Sequence, residues 1–254
     1  MAGPRSADRA RTTRVAARVT IGALAVLASI VFAQISPATA APIGTTHVTP
    51  DRGACGDHGG VRSVSCAAHL TERWMRRMGL GDVVRETVLV APVGAGLWRS
   101  STTGGICGFG AAGKLGLGLH HCDHRTFVYP SQDFMLLSDD VTTVTALAHE
   151  SAHGVHERAG LDPVAITLSF DGHRLLPLEL SADCWAGMAL RWFVDEGMLA
   201  ATARAGAQGL LRAAAGGLGH GSAQQRQSAF DAGYLQGATA CNRLLGTPTF
   251  PAGP

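Results

Sequence analysis

The chain has 254 residues, 46% apolar and 16% charged, a composition that excludes a disordered protein and allows one substantial core or two small ones. Its formal net charge is +2, but residues 1–40 hold five arginines and one acid, which leaves 16 basic against 18 acidic residues in the remainder. That near-neutral remainder has no basic stripe interleaved with aromatics, so nucleic acid is not an expected partner.

Residues 1–40 read as a signal peptide. An arginine-rich start leads into VTIGALAVLASIVFA (19–33), then Pro37 and the small-x-small ATA at 38–40, which places cleavage after Ala40. The apolar run falls short of the roughly 20 residues of a membrane span. Left uncleaved, residues 19–35 would instead act as an anchor. No arginine pair marks a twin-arginine route. The mature chain is therefore expected to be secreted, with no membrane part unless that segment is retained. Six cysteines, Cys55, Cys66, Cys107, Cys122, Cys184 and Cys241, all follow the cut. An even count in an exported chain suggests three disulfides, and the absence of any C-x-x-C pair speaks against cysteine-ligated zinc. Spacing alone does not choose among the 15 pairings.

Residues 41–60 read as an irregular lead-in. VRSVSCAAHLTERWMRRMG (61–79) has helical periodicity and stops at a glycine. VVRETVLVAP (83–92) reads as a strand, 93–125 as glycine-rich loops with short strands, and TFVYP (126–130) as a strand stopped by Pro130. From Ser138 the pattern is helical. Ser138 or Asp139 caps the first helix and Gly160 with Pro163 ends it. A second helix is expected from near Pro177 to Gly197, a third over 198–215, and a fourth from Ser222, where Ser222 and Gln225 fit a capping box. Residues 246–254 are expected to be a loose tail. The fold expected is one α+β domain over 61–245, with a small N-terminal sheet and a mainly helical C-terminal half.

The chemistry sits in TALAHESAHGVHERAG (145–160). His149 and His153 are i and i+4 on one helix, so both imidazoles reach one side and one tetrahedral zinc. Glu150 is placed to take a proton from a water there. His156 is the poorer third ligand, because His149 to His156 spans about 10 Å of helix and zinc bonds are about 2 Å. It reads as a solvated histidine or one that supports a ligand. Downstream, LELSADCWAG (178–187) offers Glu179 and Asp183, again i and i+4. Glu179 completes a His₂Glu set, and Asp183 accepts the free ring N–H of a ligand histidine. Two further stretches are set aside. HHCDH (120–124) mimics a second metal cluster but lies in a glycine-rich loop beside a cysteine expected to pair. GGICGFGAAGKLGLG lacks the context of a phosphate-binding loop.

Three blocks together give a resemblance. ALAHESAHGVH, LELSADCWAG and HGSAQQRQSAFDAG (220–233) are similar, in this order, to H-E-x-G-H-H-V-Q, E-L-Q-A-D-C-x-A-G and H-G-(S/T)-x-x-Q-R-x-x-x-F-x-x-G of the bacterial neutral zinc metallopeptidase family. CDHRTFVYP resembles the strand before that family's first helix, and the likeness covers roughly residues 105–241. It departs at Gly154, where the family often has a second histidine, at His156, where it has glutamine, and in a shorter segment before the helix. The resemblance implies a single zincin-like domain, one Zn²⁺ held by His149, His153 and Glu179, and Glu150 as general base. The third block also reads chemically. His220, at a tight turn before a helix, is a candidate donor to the negative charge that builds on a carbonyl oxygen, and Arg226 would pair with an acid and hold that helix to the site. Beside the resemblance, the expected bridges are Cys55–Cys66 and Cys107–Cys122, which close short loops, and Cys184–Cys241, which ties the Glu179 helix to the one after His220.

The expectation is thus a secreted zinc metallopeptidase acting on a peptide or protein, with the strand near 126–130 as the edge on which substrate pairs. Two rivals stay open: a secreted zinc-binding protein without hydrolytic activity, against which Glu150 argues, and a zinc hydrolase acting on a non-peptide amide.

Overall fold

The computed structural model describes residues 43–56, 58–109, 118–216 and 219–253. The expected signal peptide or anchor lies outside the described residues. Among those described, no helix is long and apolar enough to cross a membrane.

The β-branched run after Arg85 forms β2 (Glu86–Arg99), the spine of a small mixed sheet. It pairs antiparallel with β1 (Ile43–His47) and parallel with β5 (Arg125–Val128). Its far end pairs with β3 (Ile106–Phe109). β4 (His120–Cys122) adds antiparallel to β5, giving the order β1-β2-β5-β4. The two residues between β4 and β5, Asp123 and His124, have φ of 52° and 65°. Positive φ at both central residues is the backbone of a twist-compatible two-residue hairpin. The Asp123 carboxylate holds the turn by accepting from the Ser101 backbone N–H (2.7 Å) and the Trp98 indole (3.2 Å).

Two expectations about the sheet are corrected. The lead-in is not irregular throughout: it supplies β1 and a short 3₁₀ turn over Arg52–Ala54. Its strand pattern is broken by Gly44, where the register with β2 shifts. The strand expected over 126–130 is not an edge, because β5 lies between β2 and β4 and both its sides are paired. The outer strand next to the helices is β4.

Helix α1 (Val61–Arg77) buries Val64, Ala67, Leu70, Trp74 and Met75, an apolar stripe at helical spacing. Helix α2 (Asp140–Arg158) starts at Asp139, whose carboxylate accepts from the Thr142 N–H at 2.8 Å. It is buried from Thr142 to Glu157 and is the central helix of the domain. After the short α3 (Pro163–Leu168), α4 (Gly172–Asp195) begins five residues before Pro177, capped by Asp171. The expected start at Pro177 is corrected; the proline sits inside the helix, near its beginning. Helices α5 (Ala203–Ala213), α6 (Ala223–Gln236) and α7 (Ala238–Leu245) complete the order, and both halves of the Ser222/Gln225 capping box are present.

Helices α4 and α6 cross with their backbones in contact. A Cβ at Gly187 would overlap the Phe230 carbonyl, and one at Gly233 would overlap the Cys184 carbonyl. Only glycine allows that approach. The Cys184–Cys241 bridge locks α4 to α7 beside the crossing, at a Cα separation of 5.3 Å. Cys55–Cys66 and Cys107–Cys122 are bridged as well, so all three expected pairs are present. The tail is not loose. Phe250 is buried and stacks on Trp185 at 5.1 Å, and the Asn242 amide donates to the Phe250 carbonyl at 2.8 Å while its oxygen accepts the N–H groups of Thr249 and Phe250.

Candidate metal centre

His149 and His153 project from α2 into one cleft, their rings 5.0 Å apart and nearly perpendicular. Glu179 reaches them from α4. Its Oε2 lies 3.3 Å from Nε2 of His149 and its Oε1 lies 3.6 Å from Nε2 of His153. His220 arrives from the loop before α6, with Nε2 3.5 Å from the same Oε2. Four groups from three parts of the chain therefore converge on one point.

The donor set fits a borderline cation such as zinc. Glu179 is buried, yet its Oε2 has no hydrogen-bond partner among the described residues. His149 and His220 stand 3.3 and 3.5 Å from it without a well-formed hydrogen bond, and a buried carboxylate oxygen is costly unless something positive meets it closely. Two imidazole nitrogens and a carboxylate on one side of an open cleft could hold such a cation and leave one position free. The tightest trio of ligand atoms among the described residues is that of His149, Glu150 and His153, all within 4.8 Å of one another. Two carboxylates thus adjoin the rings. Glu179 contacts both of them, and Glu150 lines the cleft beside it.

Behind His149, Asp183 Oδ1 accepts from Nδ1 at 2.9 Å. Asp183 also accepts from Arg226 of α6, Nε to Oδ2 at 2.8 Å and Nη2 to Oδ1 at 2.7 Å. The acid awaited for Arg226 is therefore Asp183. This fork fixes the carboxylate, which fixes the ring, which points Nε2 into the cleft.

The charges follow from these contacts. Burial opposes a proton on His149, but Asp183 and Glu179 outweigh it and lift the group to about 10. Burial pushes the Glu179 carboxyl up, but His149, with His153 and His220, outweighs it and holds the group far below the usual carboxylate range. Burial pushes His153 down to about 4, with His149 and His220 adding repulsion and Glu179 opposing. Glu150 is pushed up to about 8, chiefly by burial. The charge on His149 and the backbone N–H of His121 pull it down, and the charges of Glu179 and Asp133 push it further up.

His156 is corrected in one respect: it is fully buried, not solvated, and lies behind His153. HHCDH gathers no metal set. The His120 ring sits between the Gly118 and Gly108 carbonyls, His121 is packed under α2, and His124 is in the hairpin turn. Gly154 is fixed by space, since a Cβ there would press on Val83 and the His121 ring. The cleft has a volume of about 350 Å³, and its lining includes Leu119, His120, Val164, Thr167 and Leu211 beside the histidines and carboxylates. Comparison with protein-family models, curated proteins and solved structures finds no match. The geometry of the site carries the functional reading.

Proposed function

We propose that this chain is an exported, zincin-like, zinc-dependent metallopeptidase. The observation that carries the reading is the meeting of His149 Nε2 and His153 Nε2 at the buried carboxylate of Glu179, with Glu150 beside them in an open cleft. A zinc ion held by His149, His153 and Glu179 supplies Lewis acidity and a water of lowered pKa. Glu150 takes the proton of the attacking water and delivers it to the departing amine. His220 is positioned to donate to the carbonyl oxygen as negative charge builds on it. Three disulfides agree with an oxidising compartment outside the cytoplasm.

Metal analysis of the purified protein, joined to a peptide-library cleavage assay before and after chelation, tests the proposal. One zinc per chain and chelator-sensitive cleavage are expected. A protein that binds no zinc, or that binds zinc and cleaves no peptide, overturns it. Cleavage of simple amides but no peptide moves the activity to a non-peptide substrate.

A further inference from the structure

The His156 ring has no part in the chemistry above, yet it is wholly buried and both of its nitrogens are engaged. Its Nδ1 lies 3.3 Å from Nδ1 of His153, and its Nε2 lies 3.0 Å from the Ser181 hydroxyl. That hydroxyl has a second neighbour, the Leu178 carbonyl, at 2.8 Å. A carbonyl only accepts, so the single Ser181 proton goes to Leu178. Ser181 Oγ then accepts from His156, which puts the His156 proton on Nε2.

A neutral imidazole has one N–H, so Nδ1 of His156 is a bare acceptor and takes the Nδ1–H of His153. His153 is left with its lone pair on Nε2, the atom that faces Glu179. The surroundings favour this neutral chain. Among the described residues no carboxylate pairs with His156. Phe250 meets its ring edge-on at 5.3 Å, with Trp185 stacked behind, so water does not compete for the ring nitrogens.

We infer that His156 is a positioning residue that, with Ser181, fixes the His153 tautomer presenting a lone pair at Nε2 to the metal centre. The identity of the ion rests on the function proposed above; the tautomer does not. The two ligand histidines are then held differently: His149 by a charged Asp183–Arg226 pair, His153 by an uncharged relay.

The test uses the full chain in two measurements. Long-range ¹H–¹⁵N NMR of the metal-free protein reads the His153 tautomer, and competition with a chromogenic chelator reads zinc affinity. In wild type the His153 proton is expected on Nδ1. His156→Leu should shift it toward Nε2 and weaken zinc binding about 10–100-fold, the usual cost of losing such an outer contact. His156→Gln should stay near wild type, because its carbonyl accepts from His153 while its amide donates to Ser181. Ser181→Ala should shift both readouts in the same direction by less. A wild-type His153 protonated on Nε2 overturns the inference, as does a folded His156→Leu protein with unchanged zinc affinity. If His156→Leu fails to fold, an unchanged tautomer and affinity in Ser181→Ala overturn it instead. A wild type that binds no zinc but carries the proton on Nδ1 supports the relay and removes the metal reading.

Discussion

Histidines crowd two neighbouring stretches, 120–124 and 149–156, and only the second brings rings to a common point. In β4 the period of two sends His120 and His121 to opposite faces. His120 stacks on its cross-strand neighbour Phe127 at 5.1 Å, while His121 lies buried under α2, 3.8 Å from Glu157. In α2 the period of 3.6 returns His153 to the face of His149 one turn on. Similar residue counts thus yield packing in one segment and a ligand pair in the other. The element's period makes the difference, together with Glu179 and Asp183 of α4, which meet the rings of α2.

The comparison is broken most forcefully at Glu150, the proposed general base beside the proposed ligand pair. Glu150→Gln should keep zinc and lose peptide hydrolysis by about 10²–10⁴-fold, the usual cost of a missing general base. Steady-state kinetics with metal-loaded protein reads this directly, and turnover near wild type would end the proposed role. Next come the ligands. His149→Ala, His153→Ala and Glu179→Ala should each lower zinc affinity by more than the roughly 10–100-fold typical of outer-shell losses. His121→Gln, in the other histidine stretch, should leave it unchanged. Chelator competition on the four variants settles whether the two stretches differ as described. A large loss in His121→Gln with retention in Glu179→Ala would reverse the assignment.

Much of this site was legible in the sequence, and the reasons are local. H-E-x-x-H on a helix fixes three side chains by period alone, and E-x-x-x-D does the same on α4. The capping box and three disulfides also came out as expected. What was not legible depends on contacts between elements. Nothing local says that Ser181 meets His156, that Arg226 selects Asp183, or that Phe250 folds back against α2. β1 was hidden because a five-residue strand with a glycine and a register shift carries little pattern. The order of the sheet, which puts β5 between β2 and β4 rather than at an edge, is set by pairing that no spacing encodes.

The close crossing of α4 and α6 requires glycine at 187 and 233. Gly233→Ala would drive a methyl into the Cys184 carbonyl, and backbone cannot move aside as a side chain can. A destabilisation of about 1–3 kcal/mol is expected, typical of overpacking. It should also loosen Arg226 from Asp183 and so weaken zinc binding. Gly209→Ala, on α5, has open space around it and should be tolerated. Thermal unfolding of both variants checks the contrast; equal melting temperatures would mean that the close crossing is not required.

The smallest effect expected is a pH dependence that belongs to Glu150 alone. Its carboxyl is ordinarily near 4.5 and is pushed up to about 8 in the fold, chiefly by burial. Between these values the unfolded chain has lost the proton and the folded chain keeps it, so stability falls as pH rises through the window. Below about pH 4.5 both states are protonated and the penalty vanishes. Glu150→Gln cannot ionise and escapes the penalty. Metal-free Glu150→Gln should therefore gain on metal-free wild type from pH 5 to pH 8, by about 1–3 kcal/mol. Glu157 is also pushed up to about 8 by burial, but it is common to both proteins and cancels in the difference. Urea unfolding of the two chelated proteins at both pH values gives the result. A flat difference would show that the Glu150 carboxylate is well solvated in the metal-free cleft. With zinc present the gain should shrink, because a neighbouring cation favours the ionised carboxylate that the proposed base requires.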